Sequence, residues 1–284
     1  MTCPFLREAC VWGCRSSSAR KLIPQATAAP PGTLCLNGGY SHCSGFVGAA
    51  ESPVEPPGVC PNLEKLAVQY CAAAPVTKFI PYSEAMLIRC GSDAHRYCDQ
   101  FLDQTGSGRG APREGDLISV PEDLLYAERH WWFDLPAEGP WHAGLDAFTS
   151  RLAGPADRVS FIPARAGSAP AVVLTAGDRD FTFALAESLI VTATNLQLRL
   201  HPRRIFDAPY DRGWIFEGVL TGRQCAELRQ RLSDARRARR RMEEDARLVN
   251  ERLQQFCPRE FAALADGGLF EAGILAKLDR EAAR

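Results

Sequence analysis

The sequence is nearly without lysine: of 33 basic residues only four are lysines, at Lys21, Lys65, Lys78 and Lys277, so none falls between residues 79 and 276. Chemistry that needs a side-chain amine, such as Schiff-base formation or acylation, is confined to those four positions. Charge of one sign is missing too. The formal net charge is −1, which argues against a polyanion as the main ligand. No apolar run approaches the roughly 18 residues of a bilayer span, and Arg7 and Glu8 interrupt the first one, so neither anchor nor secretory signal is expected and the chain is expected in the cytoplasm. Catalytic constellations are lacking as well: Asp178 and Asp180 share a turn rather than face a base. No catalytic residue is assigned, and no enzyme activity is expected.

Cysteine is abundant instead. Of 11 cysteines nine lie in the first 98 residues, and eight of them recur at repeated spacing. The segment TCPFLREACVWGCRSSSARKLIP, residues 2–24, aligns without a gap on VCPNLEKLAVQYCAAAPVTKFIP, residues 59–81. Cys3-Pro4 matches Cys60-Pro61, Cys14 matches Cys71, Lys21 matches Lys78, and Ile23-Pro24 matches Ile80-Pro81. Each copy adds two cysteines eight residues apart, Cys35 with Cys43 and Cys90 with Cys98. The chain therefore opens with a tandem four-cysteine module, and Cys10, Cys225 and Cys257 stand outside the pattern.

A module of about forty residues cannot hold itself by burial alone, so a cross-link is expected. Disulfides would suit an exported chain; in a reducing compartment metal is the expected alternative to buried thiols. The candidate ligands are Cys3, Cys14, Cys35 and Cys43 for one centre and Cys60, Cys71, Cys90 and Cys98 for the other. Four thiolates suit tetrahedral zinc or an iron-sulfur cluster, and the absence of a CxxC knuckle leaves both open. His42 and His95 precede the fourth cysteine at unequal offsets, which fits surface or supporting residues better than ligands.

Two Gly/Pro/Ser-rich stretches, residues 44–58 and 104–115, read as linkers. The expected division is module 1 over residues 1–45, module 2 over 58–103, a β-rich domain over 116–220 and a helical segment over 221–284. Within the third region Gly177-Asp178 separates two β-rich arms as a hairpin. Leu145, Phe148 and Leu152 predict a short helix ending at Gly154, and Trp131, Trp132 and Trp141 read as aromatic core. In the fourth region Cys225, Leu228, Leu232, Ala235, Arg239, Met242, Ala246, Val249, Leu253 and Phe256 follow steps of three and four. That seam predicts one long helix, from about 222 to 257, packing on a protein partner, on a second copy or on the rest of the chain. In the run ARRARRRMEED acids follow the arginines at once, which argues against nucleic acid as a partner. Gly267-Gly268 separates helical stretches of a small docking element.

The segment NLQLRLHPRRIFDAPYDRGWIFEG carries Asn195, Leu198, Pro202, Pro209, Tyr210, Gly213, Trp214 and Ile215. In that order it resembles the closing segment of the glycine cleavage system H protein family. Tyr126, His130 and Trp132 are similar to the family's opening, and Gly144, Leu145, Asp146, Leu152 and Gly154 to its helix. Ala208 and Asp211 depart from the family pattern. The resemblance covers residues 116–220 and implies a lipoyl-type hybrid β sandwich, making the whole an α+β multidomain protein. It also implies a lipoyl lysine at a hairpin tip, but Gly177, Asp178 and Arg179 stand there, and arginine cannot form the amide. The expectation is a non-lipoylated scaffold or a redox or metal sensor. An H-type carrier of glycine catabolism and an iron-sulfur electron-transfer protein are the alternatives.

Overall fold

A computed structural model describes residues 1–16, 22–24, 34–46, 58–76, 78–80, 89–106, 108–109, 118–165, 168–185, 189–256, 265–266 and 269–277. Most of both expected linkers, the Gly267-Gly268 pair and Cys257 lie outside these residues. The chain forms two units, one of Pro4–Met86 and one of Met1–Cys3 with Leu87–Arg284. Among the described residues no helix is long and apolar enough to cross a membrane.

The unit of residues 4–86 is a four-stranded sheet of β1 (Leu6–Cys14), β2 (Leu22–Pro24), β3 (Leu63–Cys71) and β4 (Lys78–Ile80), in the order β2-β1-β3-β4. The central pair is antiparallel over nine residues, from Leu6↔Cys71 to Cys14↔Leu63. Leu6 matches Leu63 and Cys14 matches Cys71 in the repeat, so this register maps onto itself when the copies are exchanged, about the pair Cys10↔Ala67. Each outer strand repeats its partner's register as well: Trp12↔Ile23 in the first copy corresponds to Gln69↔Ile80 in the second. The strands of the two copies thus lie side by side as two halves of one sheet. Residues 87–103 of the second expected module belong to the second unit.

In that second unit β5 (Leu125–Tyr126), β6 (Trp131–Asp134), β7 (Trp141–Leu145), β11 (Val191–Thr194) and β12 (Phe216–Gly218) form an antiparallel sheet in the order β11-β12-β7-β6-β5. A second sheet takes β8 (Arg158–Ile162), β9 (Ala171–Ala176) and β10 (Arg179–Ala184) in the order β10-β9-β8. Successive strand residues point to opposite faces, and on β6 both faces are covered. Trp131 and Phe133 pack with Val159, Val172, Leu174 and Phe216, while Trp132 packs with Tyr126, Tyr210 and Trp214. Three consecutive aromatics are the sequence's consequence of a sheet buried on both sides. On β7 Gly144 is required by this packing, since a Cβ there would lie 2.8 Å from the Trp132 ring.

The expected short helix forms over Ala147–Ala153, following a short helix at Asp99–Thr105; these are α2 and α1. Asp146 caps α2 by accepting from the Thr149 N–H at 2.9 Å, and Gly154 ends it at φ 77°. The closing segment folds as two short helices, α3 (Gln197–Leu200) and α4 (Arg204–Asp207), tied by its own polar groups. Asn195 Nδ2 donates to the Arg212 and Trp214 carbonyls, each at 2.9 Å, and the Tyr210 hydroxyl donates to the Ser119 carbonyl at 2.6 Å.

The long helix is two helices. α5 spans Gly222–Arg231 and α6 Ala235–Phe256. Ser233 breaks the run by pairing with Tyr126 on β5, the two backbones exchanging N–H···O bonds of 2.9 and 2.8 Å. Asp234 then starts α6, its carboxylate accepting from the Arg237 N–H at 2.8 Å. The apolar seam is covered within the chain: Ala238, Met242 and Leu253 join the Trp132 cluster, and Leu228 joins the cluster between the sheets. The C-terminal segment pairs β13 (Ala265–Asp266) with β14 (Leu269–Phe270), strands rather than helical stretches, before α7 (Ile274–Lys277). Phe270 and Ile274 are fully buried in the Trp132 cluster.

Because the seam is filled by this chain, Met242→Ala leaves a cavity and is expected to cost about 2–5 kcal/mol of stability. Thermal unfolding reads the loss, and light scattering reads an unchanged molar mass. A mass that falls on substitution would mean that the seam holds a second chain.

Candidate functional site

Cys14 ends β1 opposite Leu63, the first residue of β3. Cys60 lies in the turn before β3, its carbonyl accepting from the Leu63 N–H at 3.0 Å. The Cys60 N–H donates in turn to the carbonyl of Cys35 at 2.8 Å, on the 3-10 turn Leu34–Leu36. Cys60 and Leu63 are buried, and Trp12, Cys14, Cys35, Leu36, Tyr40 and Phe46 pack against them. Cys43 follows the 3-10 turn Gly39–His42; its N–H donates to the Tyr40 carbonyl at 3.0 Å and its carbonyl accepts from the Phe46 N–H at 2.9 Å. Cys71 stands at the opposite end of the ladder, against Leu6, and Cys10 is exposed at its centre.

The other unit repeats these links. Cys3 is buried, and its N–H donates to the carbonyl of Cys90 at 2.8 Å. The Cys98 N–H donates to the His95 carbonyl at 3.0 Å, the counterpart of the Cys43 bond to Tyr40. The backbone joins Cys60 to Cys35 in one unit and Cys3 to Cys90 in the other, each link running between the two expected groups, Cys3, Cys14, Cys35 and Cys43 on one side and Cys60, Cys71, Cys90 and Cys98 on the other. Among the described residues no three His, Cys, Asp or Glu side chains surround a common point where an ion could sit. His42 is exposed. His95 is buried, with Nδ1 2.7 Å from the Ser92 carbonyl oxygen and its ring edge-on to Phe101.

The hairpin tip is where the arms predict it, between Ala176 and Arg179, with Gly177 at φ 62° as the left-handed residue a two-residue loop requires. Its polar groups are engaged locally. The Gly177 N–H donates to Asp157 Oδ2 at 2.8 Å, the Thr175 hydroxyl donates to Asp180 Oδ1 at 2.6 Å, and the Arg179 guanidinium donates to the Leu275 carbonyl at 2.8 Å.

Two polar clusters join residues too distant in sequence for any local pattern to reveal. In the first, Glu217 Oε2 lies 2.7 Å from Arg89 and 2.9 Å from His142 Nε2. Tyr97 stacks on the His142 ring at 4.0 Å and donates its hydroxyl proton to Asp134 Oδ2 at 2.8 Å, while Arg109 bonds both groups. Burial pushes His142 down and keeps it neutral. Burial alone would raise Glu217, but the hydrogen bond from His142 and the charge of Arg89 hold it down at about 2. In the second cluster His130, with φ 60°, places Nδ1 2.8 Å from Asp146 and Nε2 3.3 Å from Asp245 on α6. Burial opposes protonation of His130, but the two carboxylates outweigh it and raise its pKa. Each cluster combines buried groups, His142 and Asp146, with partly exposed ones, Arg89 and Asp245.

No protein-family model matches the chain. No curated protein matches it either. Among solved structures, the crystal structure of a glycine cleavage system H protein from Mycobacterium marinum is similar over 38% of this chain and 98% of its own, at 20% identity and a TM-score of 0.29.

Glu217, with its pKa held below the ordinary value, contributes stability at neutral pH that is lost as pH falls toward about 2. His142, lowered, adds to that acid sensitivity below its own ordinary value, and His130, raised, runs the other way. Glu217→Gln is expected to cost roughly 1–3 kcal/mol at neutral pH and less near pH 3, read by denaturant unfolding at both pH values. A loss that does not shrink in acid would show that the charge is not what stabilises.

Proposed function

We propose that the chain is a non-enzymatic scaffold whose cysteine-rich sheet takes up zinc or an iron-sulfur cluster and responds to metal or redox state, beside an H-like β domain that carries no lipoyl group. One observation carries the reading: among the described residues of 4–86, only Val11, Cys60 and Leu63 are buried apolar groups. Three such side chains recover little of the entropy lost in ordering the sheet. A metal cross-link through thiolates supplies what the core lacks and makes folding depend on the ligand. A reducing compartment, the cytoplasm, suits reduced thiols.

The lipoyl-free reading rests on the tip itself, where an arginine tied to a backbone carbonyl stands in place of an acylatable amine. The non-enzymatic reading is supported by buried His142 and half-buried His130, whose ring nitrogens meet the carboxylates of Glu217, Asp146 and Asp245. A protein partner of this scaffold would meet the charged outer face of α6, around Arg236, Arg237 and Arg240, since the apolar seam is used internally.

Anaerobically purified protein is expected to hold zinc or iron. Chelation is expected to melt the sheet of residues 4–86, read by loss of β signal in circular dichroism. The fluorescence of Trp131, Trp132, Trp141 and Trp214 should stay native. Metal-free protein with that sheet intact would overturn the proposal. Coexpression with a lipoate ligase is expected to leave the intact mass unchanged; a gained lipoyl group would restore the carrier reading.

A further inference from the structure

Resting on the redox half of that reading, we infer that oxidation closes two disulfides between the copies, Cys35 with Cys60 and Cys3 with Cys90. Each pair is already joined through its backbone. The Cys60 N–H donates to the Cys35 carbonyl and the Cys3 N–H to the Cys90 carbonyl, both at 2.8 Å. With standard backbone dimensions, a bond of that length holds the two Cα atoms no more than about 6.7 Å apart. Disulfides span Cα separations of about 4.4–6.8 Å, so both pairs lie within reach of a bridge. Each pair also lies inside one unit, Cys35 and Cys60 in residues 4–86, Cys3 and Cys90 in the other.

Cys35 packs against buried Cys60 and Leu63 in one apolar shell. Cys14 shares that shell, but it belongs to the ladder, where it stands opposite Leu63. The repeat separates these two partners for Cys60. Its equivalent positions make the Cys60–Cys35 link again as Cys3–Cys90, whereas Cys71, the counterpart of Cys14, lies in the other unit from Cys3. Exposure sets the order of reaction. Cys35 and Cys90 are half-buried, while Cys60 and Cys3 are buried, so a small-molecule disulfide such as glutathione disulfide meets Cys35 and Cys90 first. The Cys35 thiolate attacks one sulfur of the oxidant, forming a mixed disulfide and releasing one reduced thiol. The Cys60 thiolate then attacks Cys35 Sγ, forming the protein S–S bond and expelling the second thiol. Two protein thiols thereby lose two protons and two electrons, and the oxidant gains them as two thiols. Cys90 and Cys3 react in the same way. The closed Cys35–Cys60 bridge cross-links a sheet in which, among the described residues, buried apolar groups are few.

The full chain, purified anaerobically and then exposed to glutathione disulfide, tests the pairing. After alkylation of the remaining thiols and digestion, mass spectrometry is expected to find Cys35 linked to Cys60 and Cys3 linked to Cys90. Cys60→Ser is expected to stop at the mixed disulfide, gaining one glutathione on Cys35, while Cys3–Cys90 still closes. Where that variant fails to fold, the wild-type map decides. Cys60 linked to Cys14 in wild type overturns the pairing, and so does a pair whose members are both recovered alkylated. Metal content of the same sample before oxidation decides the metal reading separately. Bridges in a chain that held no zinc or iron sustain this inference and overturn that reading; alkylated pairs in a metal-loaded chain do the reverse.

Discussion

The nine-residue ladder between β1 and β3 decides what every cysteine near it can meet. A strand that pairs antiparallel with its own repeat must place each copy's first residue beside the other copy's last. Here that sends Cys60 to the Cys14 end and leaves Cys71 at the Leu6 end. The two outer strands pair in identical register on either side of this ladder. A repeat that reads in sequence as two beads becomes, through this pairing, one sheet.

That constraint also explains why the sheet is so poor in core. Most described residues of its central strands are half-buried or exposed, with Val11 and Leu63 buried, and its packing gathers around Cys60 and Leu63. The other unit is the opposite case. Its β6 is aromatic on both faces, and its polar groups are buried only where an opposite charge or a carbonyl meets them, as at His142, Glu217 and Tyr97. One unit is held by burial; among the described residues of the other, buried apolar groups are few.

Short-range signals were legible in the sequence. The two-residue loop at Gly177-Asp178, the helix from Ala147 to its Gly154 stop and the turn around Gly213 and Trp214 each depend on residues within a few positions of one another, and each forms where its residues predict. The pairing of one copy with the other was not, because a repeat shows that two segments are alike and not whether they touch. The broken helix is intermediate. Ser233-Asp234 is an ordinary start signal, but a seam continuing at steps of three and four on both sides outweighed it, and Tyr126, the group that captures Ser233, lies more than a hundred residues away. The cluster of Arg89, His142 and Glu217 left no local trace at all.

The C-terminal segment gives the hairpin its last constraint. Gly154 and Gly273 approach so closely that a Cβ on Gly154 would lie 2.5 Å from the Gly273 Cα, and the Gly273 N–H donates to the Arg151 carbonyl at 2.8 Å. Arg151 reaches back to the Phe270 carbonyl at 2.9 Å, and Arg179 at the tip reaches Leu275. Two guanidiniums thus bind carbonyls of one short segment, whose Phe270 and Ile274 are buried beneath it. An arm that swings needs its root at an exposed tip with a long side chain free in solvent. Here the long side chain at the tip is spent on holding the chain's own end, and in the proposed scaffold that fastening, rather than a carried group, is the use to which the hairpin is put.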